Sequence, residues 1–426
     1  MPAGATCPST ADDLILQPDK DFRTGIPRFD RLFDGTTTSL ERDLLLMASA
    51  VHFYDVSHRR GMREDVARDM EMWLPVVNYH ALVGQKARLE LMLNVLSNDN
   101  WTLHFERAAG DQESKTDWPD SEGETLLFSG GLDSLAYAVD ALDARGPASL
   151  QLASHVTRNS TTISSQRRLH GYLETKYDGT IQRVEIRTGK MASASTEEKK
   201  EAEVSQRTRS FLFLTIAALA ARRRGMGRLV FIAENGQMAI HVPLSAGRIG
   251  AFSTHTAHPQ FVHLASEFFS DALDFPIKVD NPYLYKTKAE VVEKLAREHE
   301  EIISVSNSCW KSSHNFNKHC GECVPCYVRR IALEHHGVKV DPWMRDMFVE
   351  NLDGLPFDHD GKRNLNELGM FANDFRTLSD FELDEGYIEL YNDHFDRDKA
   401  IAMYRRFADE AKGVFEKYPR LARLVR

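Results

Sequence analysis

The chain has 426 residues, of which 42% are hydrophobic and 27% charged, and its formal net charge is −10. This charge disfavours a protein that binds nucleic acid over its whole surface, and no apolar run approaches the roughly 20 residues that span a bilayer. The first residues lack the basic flank and apolar core of a signal peptide, so we predict a cytoplasmic protein without a membrane partner.

Residues 1–123 predict an N-terminal α+β domain followed by a linker. Apolar periodicity predicts two helices and two strands, over 39–58, 86–96, 70–77 and 101–105. The stretch 108–123 has the Gly, Asp, Glu, Ser and Pro content of a linker. This part shows no catalytic constellation.

A glycine-rich turn follows the apolar run 126–128, which is typical of a buried strand, and leads into a helical pattern. The turn consists of Ser129, Gly130, Gly131, Leu132, Asp133 and Ser134. Glycines let the backbone approach a phosphate, and the free N–H groups of a helix start supply positive potential. Because Asp133 does not favour a bare phosphate, we interpret it as a holder of Mg²⁺ or of the loop geometry. The alternative is an ordinary glycine turn before a helix.

Strands and helices alternate from 124 to about 340. The predicted strands cover 150–156, 180–186 and 228–233, and the predicted helices cover 163–177 and 209–224. This alternation predicts an α/β domain with a doubly wound, mainly parallel sheet, in which ligands bind at the carboxyl ends of strands. The polar segment 189–206 is either a lid over a nucleotide or a solvated helix start.

Glu234 and Asn235 follow the last of these strands. A carboxylate beside an amide can recognise the edge of a purine-like base, so we predict that both bind substrate. The long connection 238–261 carries Arg248, a further substrate-binding candidate, and two histidines. The alternative is an Asn-Gly turn with histidines that only satisfy local hydrogen bonds.

Two later motifs have different roles. Thr287-Lys288-Ala289-Glu290 has the pattern of a capping box at a helix start. Four of the five cysteines fall within 309–326, with two Cys-x-x-Cys steps, and they are Cys309, Cys320, Cys323 and Cys326. This spacing predicts a structural Zn²⁺ site with four thiolate ligands, although an iron–sulfur cluster uses the same ligands.

The glycine-rich turn resembles the pyrophosphate loop (PP-loop) of the ATP pyrophosphatase superfamily, and it is not a Walker A loop because no Gly-Lys-Ser/Thr follows. With the cysteine cluster and the following Tyr327-Val328-Arg329-Arg330, the segment 124–340 resembles the 7-cyano-7-deazaguanine synthase (QueC) family of the queuosine pathway. The resemblance implies an adenine nucleotide alpha hydrolase-like fold with ATP, Mg²⁺ and Zn²⁺. It also implies adenylylation of the carboxylate of 7-carboxy-7-deazaguanine, amide formation with ammonia, and dehydration to the nitrile with a second ATP.

The resemblance also assigns roles to single residues. Residues 129–134 would bind ATP, with the adenine near His155 at the end of the second strand. Asp133, Arg209 and Lys288 would be catalytic, since Arg209 falls where the family carries an arginine near the nucleotide and 287–290 matches the family's Thr-Lys-Ala-Glu.

The sequence differs from the family's pattern at two places. These differences leave the adenylylation step as the resemblance implies it, and they bear on the identity of the acceptor and on the nitrile-forming step. Around Arg209, the chain has Arg-Thr-Arg-Ser in place of Pro-Gly-Arg-Asn. After the last strand of the alternation, Glu234-Asn235-Gly236 stands in place of a Gly-Val-Asn-Ala-type stretch.

The additions, 1–123 and a helix-rich 341–426, resemble those of the QueC-like proteins of bacterial antiviral defence systems (the Qat and type IV CBASS kinds). That resemblance implies a partner protein of the same defence operon as the amine acceptor, and it allows a homodimer. The alternatives are a housekeeping synthase that uses ammonia, a PP-loop enzyme that modifies tRNA, and a non-catalytic nucleotide-binding scaffold.

Overall fold

The central feature is a five-stranded parallel sheet between two layers of helices, which confirms the predicted α/β class. The computed structural model describes residues 15–60, 67–114, 116–119, 121–156, 159–190, 203, 205–225, 229–245, 255–311, 319–339 and 343–425.

The strands of the described residues are short in the central sheet and longer in the N-terminal part. In chain order they are β1 (Phe22–Arg23), β2 (Asp69–Val76), β3 (Asn100–Arg107), β4 (Glu124–Leu127), β5 (Leu150–His155), β6 (Gln182–Ile186), β7 (Gly189–Lys190), β8 (Leu229–Phe231) and β9 (Lys278–Asp280). The central sheet has the order β6-β5-β4-β8-β9, so β4 lies in the middle.

The helices surround this sheet and extend beyond it at both ends of the chain. In chain order they are α1 (Ile26–Leu32), α2 (Ser39–Ser57), α3 (Tyr79–Gly84), α4 (Lys86–Ser97), α5 (Leu132–Arg145), α6 (Ser160–Lys176), α7 (Arg209–Arg224), α8 (Gly236–Ile240), α9 (Pro259–Leu273), α10 (Lys288–Glu298), α11 (Glu300–Ile303), α12 (Val324–His335), α13 (Asp360–Thr377), α14 (Asp380–Gly386) and α15 (Arg397–Phe415). None of them is both long enough and apolar enough to cross a membrane.

The two faces of the sheet bury different helices because side chains alternate along a strand. On one face Leu127 belongs to a core with α7 and α9, and on the other face Leu126 belongs to a core with α5, α6 and α10. Residues of β4 and β5 are buried throughout, as expected for strands covered on both faces. The doubly wound arrangement is therefore confirmed.

The N-terminal part contains the four predicted elements, with bounds that differ from the prediction by one or two residues. β2 and β3 pair in parallel over eight residues. α2 packs on α7, and α4 packs on α9. The N-terminal part thus covers the helices on one face of the central sheet.

The C-terminal helices form a third core with α8 and α12. In this core α13 packs on α15, and α15 also contacts α8 and α10. The helix-rich prediction for this part is confirmed.

The predicted long connection over 238–261 is only partly correct. Asn235 caps α8 because its side chain accepts a hydrogen bond from the amide of Met238, and His258 caps α9 in the same way. Helices therefore occupy both ends of this stretch. Residues 246–254 and most of the proposed lid over 189–206 lie outside the described residues.

Candidate active site

The glycine-rich turn connects β4 to α5 at the carboxyl end of the middle strand. Gly130 has a φ of +83°, and a side chain there would press on Gln166. The hydroxyl of Ser129 accepts a hydrogen bond from the amide of Gly131 at 3.2 Å, and Ser129 is exposed. α5 begins at Leu132, so the N–H groups of its first turn have no partner within the helix. The predicted strand, turn and helix start are confirmed, and the arrangement suits an anion.

Asp133 is the centre of a buried polar cluster. Its Oδ2 accepts hydrogen bonds from the Lys288 ammonium at 2.5 Å and from the Asn235 amide at 3.1 Å. Its Oδ1 is buried and has no hydrogen-bond partner among the described residues. Since a buried carboxylate oxygen without a partner is unfavourable, this atom is suited to a ligand or a cation.

Glu234 lies beside this cluster and is half-buried. Its carboxylate accepts a hydrogen bond from the Asn235 amide at 3.0 Å. Burial, and then the negative charge of Asp133, raise the pKa of Glu234 well above its usual value, although the Lys288 charge opposes this. The raised pKa favours the protonated form of the Glu234 carboxyl, in which it can both donate and accept a hydrogen bond.

Neighbouring strands explain why these residues meet. β4 and β8 pair in parallel, so the turn after β4 and the Glu234-Asn235 pair after β8 lie at the same edge of the sheet. The amide of Asn235 is fully used by the protein, since it binds Asp133 and Glu234 and its oxygen accepts from Met238. Within the described residues, the side chain of Asn235 thus holds Asp133 in place.

Among the described residues, His155 and Arg209 have other partners than the residues of the Asp133 cluster. The ring of His155 is buried, and its Nε2 lies 2.8 Å from the hydroxyl of Thr188. Burial, followed by the positive charges of His52 and Arg209, holds the pKa of His155 well below its usual value, so the imidazole is neutral. Arg209 is exposed, with its guanidinium 5.5 Å from the centre of the Phe213 ring. Arg248 lies outside the described residues.

The sequence did not single out two glutamines that support the site. Gln166 donates hydrogen bonds to the carbonyl oxygens of Phe128 at 3.2 Å and Ser129 at 3.4 Å, and so holds the start of the turn. Gln237 accepts a hydrogen bond from the amide of Lys288 at 3.0 Å. The only signal for Gln237 in the sequence is its place directly after Asn235-Gly236.

The four cysteines form a buried cluster, as the spacing predicts. Their sulfur atoms all lie within 4.8 Å of one another. Four ligands at about 2.3 Å from a tetrahedral Zn²⁺ have sulfurs about 3.8 Å apart, and the sulfurs of Cys320 and Cys326 are separated by 3.8 Å. Backbone amides also point at the sulfurs, from Cys320 to Cys309 and from Glu322 to Cys320, each at 3.4 Å. The cluster therefore fits Zn²⁺.

The cysteine cluster supports the glycine-rich turn through a short bridge. The amide of Asn307 donates to the carbonyl oxygen of Gly130 at 2.9 Å, and the Asn307 side chain accepts from the amide of Cys309 at 3.1 Å. Arg329, on α12, is buried and donates to the hydroxyl of Ser306 at 2.7 Å. A metal bound at Cys309 would thus fix one side of the turn.

Comparison with known proteins is consistent with this geometry. A family model described as "Queuosine biosynthesis protein QueC" matches residues 124–337, which is half of the chain. A search of curated proteins found no match. The matched span includes the turn, the whole Asp133 cluster and the four cysteines. The QueC family comprises ATP-dependent synthases that form C–N bonds and act on a 7-deazaguanine. Because the span that aligns with this family also carries the residues that the structure brings together, the chain belongs to the QueC family.

Proposed function

We propose that this protein uses ATP to activate the carboxylate of a 7-deazaguanine, such as 7-carboxy-7-deazaguanine, and then transfers the acyl group to an amine. The observation that carries the proposal is the Asp133 cluster beside the glycine-rich turn. A turn suited to phosphates lies next to a buried carboxylate whose Oδ1 has no partner among the described residues. Both lie within the span that matches the QueC family.

In the first step, a carboxylate oxygen of the substrate attacks the α-phosphorus of ATP. The bond from that phosphorus to the bridging oxygen breaks, and pyrophosphate leaves with the electron pair. The N–H groups of the turn would bind the phosphates, and Arg209 would offset their charge. Mg²⁺ would be held by the Oδ1 atom of Asp133, and it supplies charge neutralisation to the phosphates.

Lys288 has a less direct role in this scheme. Its ammonium is bound to the Oδ2 atom of Asp133 at 2.5 Å, and its side chain is 8% exposed. It therefore holds the orientation of Asp133 through Oδ2 and leaves Oδ1 for a ligand. His155, the last residue of β5, would contact the adenine as a neutral imidazole.

In the second step, an amine nitrogen attacks the carbonyl carbon of the acyl-adenylate. The bond from this carbon to the AMP oxygen breaks, AMP leaves, and the amine loses one proton. The protonated carboxyl of Glu234 offers a donor and an acceptor to the edge of the deazaguanine base, with Arg248 as a further substrate contact.

The acceptor that we favour is an amine of a partner protein in an antiviral defence system. One support is that the chain carries large folded additions on both sides of the matched span. The other is that Glu234-Asn235-Gly236 stands where the resemblance implies a Gly-Val-Asn-Ala-type stretch. Ammonia is the acceptor in the housekeeping alternative. Mass spectrometry of proteins encoded beside this one, after co-expression, separates the two, since only the first predicts a deazaguanine-sized mass increase on a partner.

Exchange of labelled pyrophosphate into ATP tests the first step without any acceptor. We expect exchange that requires 7-carboxy-7-deazaguanine and that Asp133→Asn abolishes. Asp140→Asn is the matched control, because Asp140 is an exposed acid two turns along the same helix. Exchange that persists in Asp133→Asn would remove the turn from the mechanism, and no exchange in the wild-type protein would favour a nucleotide-binding scaffold.

The tRNA-modifying alternative has a separate test. The net charge of −10 disfavours a nucleic-acid substrate. We expect no saturable binding of tRNA at physiological salt, and tight binding in such a titration would favour the alternative.

A further inference from the structure

The helix α15 packs against α8 and α10, the two helices that begin beside the residues bound to Asp133. It belongs to the part of the chain that follows the span matched by the QueC family. Several of its side chains contact the two segments that supply the partners of Asp133, one segment ending in Lys288 and the other beginning at Asn235. The contacts can be followed atom by atom.

The first contact fixes the start of α10. Thr287 caps this helix, since its hydroxyl oxygen accepts a hydrogen bond from the amide of Glu290 at 3.1 Å. The same hydroxyl donates its proton to Oε1 of Glu410, on α15, at 2.6 Å. Glu410 therefore orients the Thr287 hydroxyl so that its lone pair points to the helix. Lys288 is the first residue after this cap, so the position of its backbone depends on the cap.

Glu410 is well buried for a carboxyl group. It is 9% exposed, and its Oε2 is buried without a hydrogen-bond partner among the described residues. The charged groups that face it are the acids Glu290 and Asp409 and the base Arg406. A buried carboxyl with one unused oxygen is unfavourable for stability alone, so its contact with Thr287 suggests a role in the site.

The second contact fixes the segment that begins at Asn235. The hydroxyl of Tyr404, also on α15, accepts a hydrogen bond from the amide of Val242 at 3.2 Å. Met403 packs against Gly236 so closely that a Cβ at Gly236 would lie 2.8 Å from its Cε. α15 thus holds α8, whose cap Asn235 binds Asp133.

The two segments are also joined to each other. Gln237 accepts from the amide of Lys288 at 3.0 Å, and the amide of Gly236 donates to the carbonyl oxygen of Lys286 at 2.8 Å. A shift of α15 would therefore move Asn235 and Lys288 together. Because both bind one oxygen of Asp133, such a shift would turn the other oxygen away from its position at the glycine-rich turn.

We propose that α15 is a positioning element of this active site, in which Glu410 acts through Thr287 and Tyr404 acts through α8 to set Lys288 and Asn235 on Asp133. The effect on catalysis rests on the proposed function. The structural part of the inference, that α15 holds both segments, is independent of the proposed function.

Three variants test the catalytic consequence by pyrophosphate exchange. Glu410→Leu removes the acceptor for Thr287, Glu410→Gln keeps it, and Asp409→Leu makes the matched change at the exposed neighbour. We expect Glu410→Leu to lower kcat roughly 10–100-fold, as misplacement of catalytic groups does, with KM for ATP nearly unchanged. Glu410→Gln and Asp409→Leu should stay within about twofold of the wild-type protein.

Hydrogen exchange provides a readout that needs no activity. We expect the amides of 235–242 and 286–291 to exchange about tenfold faster in Glu410→Leu and at the wild-type rate in Asp409→Leu. Should the wild-type protein lack pyrophosphate exchange, the proposed function fails while this measurement still decides the inference.

Two outcomes would overturn the inference. One is equal loss of kcat in Glu410→Gln and Glu410→Leu, and the other is unchanged amide exchange in Glu410→Leu. If Glu410→Leu does not fold, Thr287→Val and Thr287→Ser give the same comparison, because only serine keeps the hydroxyl. The inference then requires that Thr287→Ser retain kcat and that Thr287→Val lose it.

Discussion

The ion pair between Lys288 and Asp133 gives the sharpest prediction, because two single substitutions that break it should differ in stability. Both side chains are 8% exposed, and the Nζ atom of Lys288 lies 2.5 Å from the Oδ2 atom of Asp133. Removing one partner of a buried ion pair destabilises a protein by about 3–5 kcal/mol, since the remaining charge has no counter-ion. The position of Glu234 makes the two removals unequal.

Lys288→Met leaves two acids, Asp133 and Glu234, side by side without a cation. We expect it to lower the free energy of unfolding by about 3–5 kcal/mol at pH 8. In Asp133→Asn, by contrast, the second of the two causes that raise the pKa of Glu234 is gone and only burial remains, so Glu234 ionises more readily and can replace Asp133 as the partner of Lys288. This substitution should lower the free energy of unfolding by less than about 3 kcal/mol.

Urea denaturation at pH 8 and at pH 5.5, followed by circular dichroism, measures both effects. The loss in Lys288→Met should shrink at pH 5.5, because Glu234, whose pKa is raised by burial and by the charge of Asp133, is more fully protonated there. Lys286→Met is the matched control: Lys286 is exposed, so we expect a change within about 0.5 kcal/mol. The reasoning is refuted if Lys288→Met is as stable as the wild-type protein at pH 8, or if Asp133→Asn is the more damaging of the two.

Cys320→Ser should yield protein that holds no zinc by elemental analysis and that precipitates, since a structural zinc site contributes on the order of 10–16 kcal/mol to folding; a folded, zinc-replete variant would contradict the ligand set. Gly321→Ala should also lower the metal content and the melting temperature, although it changes no ligand. Gly321 has a φ of +78°, and the Cβ of an alanine there would collide with the carbonyl oxygen of Arg345. Wild-type values of both quantities would show that this loop adapts. Burial raises the pKa of Glu410 from 4.5 to about 7, so the wild-type protein should lose stability as the pH rises from 4.5 through 7, by about 3 kcal/mol in total. Glu410→Gln should therefore be more stable than the wild-type protein at pH 8.5 and equally stable at pH 5, and equal stability at both would show that Glu410 is solvated.

Local patterns in the sequence were sufficient to predict those parts of the site that depend on a few residues close together in the chain. The glycine-rich turn, the capping box at Thr287 and the cysteine cluster each lie within one short stretch, and all three occur as predicted. The five-stranded parallel sheet followed from the alternation of elements, although β9, only three residues long, was missed.

Contacts between distant residues could not be predicted in the same way. Lys288 binds Asp133 across 155 positions of sequence, and Glu410 binds Thr287 across 123. No periodicity or spacing in the sequence encodes such a pair, because it depends on how the helices pack. The prediction that Asn235 binds substrate, which remains untested, rested on residue type alone, and residue type did not reveal that the amide binds Asp133 and Glu234.

Long-range contacts also hold the segment around Arg209, where the sequence reads Arg-Thr-Arg-Ser. The backbone amide and the hydroxyl of Thr208 both donate to Asp55, on α2 of the N-terminal part, at 2.9 Å. Further along α7, the fully buried Arg222 contacts Glu41 of α2 at 3.1 Å.

Through these contacts the N-terminal part stabilises both ends of α7. Asp55 accepts hydrogen bonds from Thr208 at the start of the helix, and Glu41 and Glu113 are the counter-charges of the buried Arg222. Since α15 holds Lys288 from the other side, both additions reach the helices that surround the glycine-rich turn. The matched span of this chain is therefore in direct contact, through buried polar groups, with the segments on either side of it.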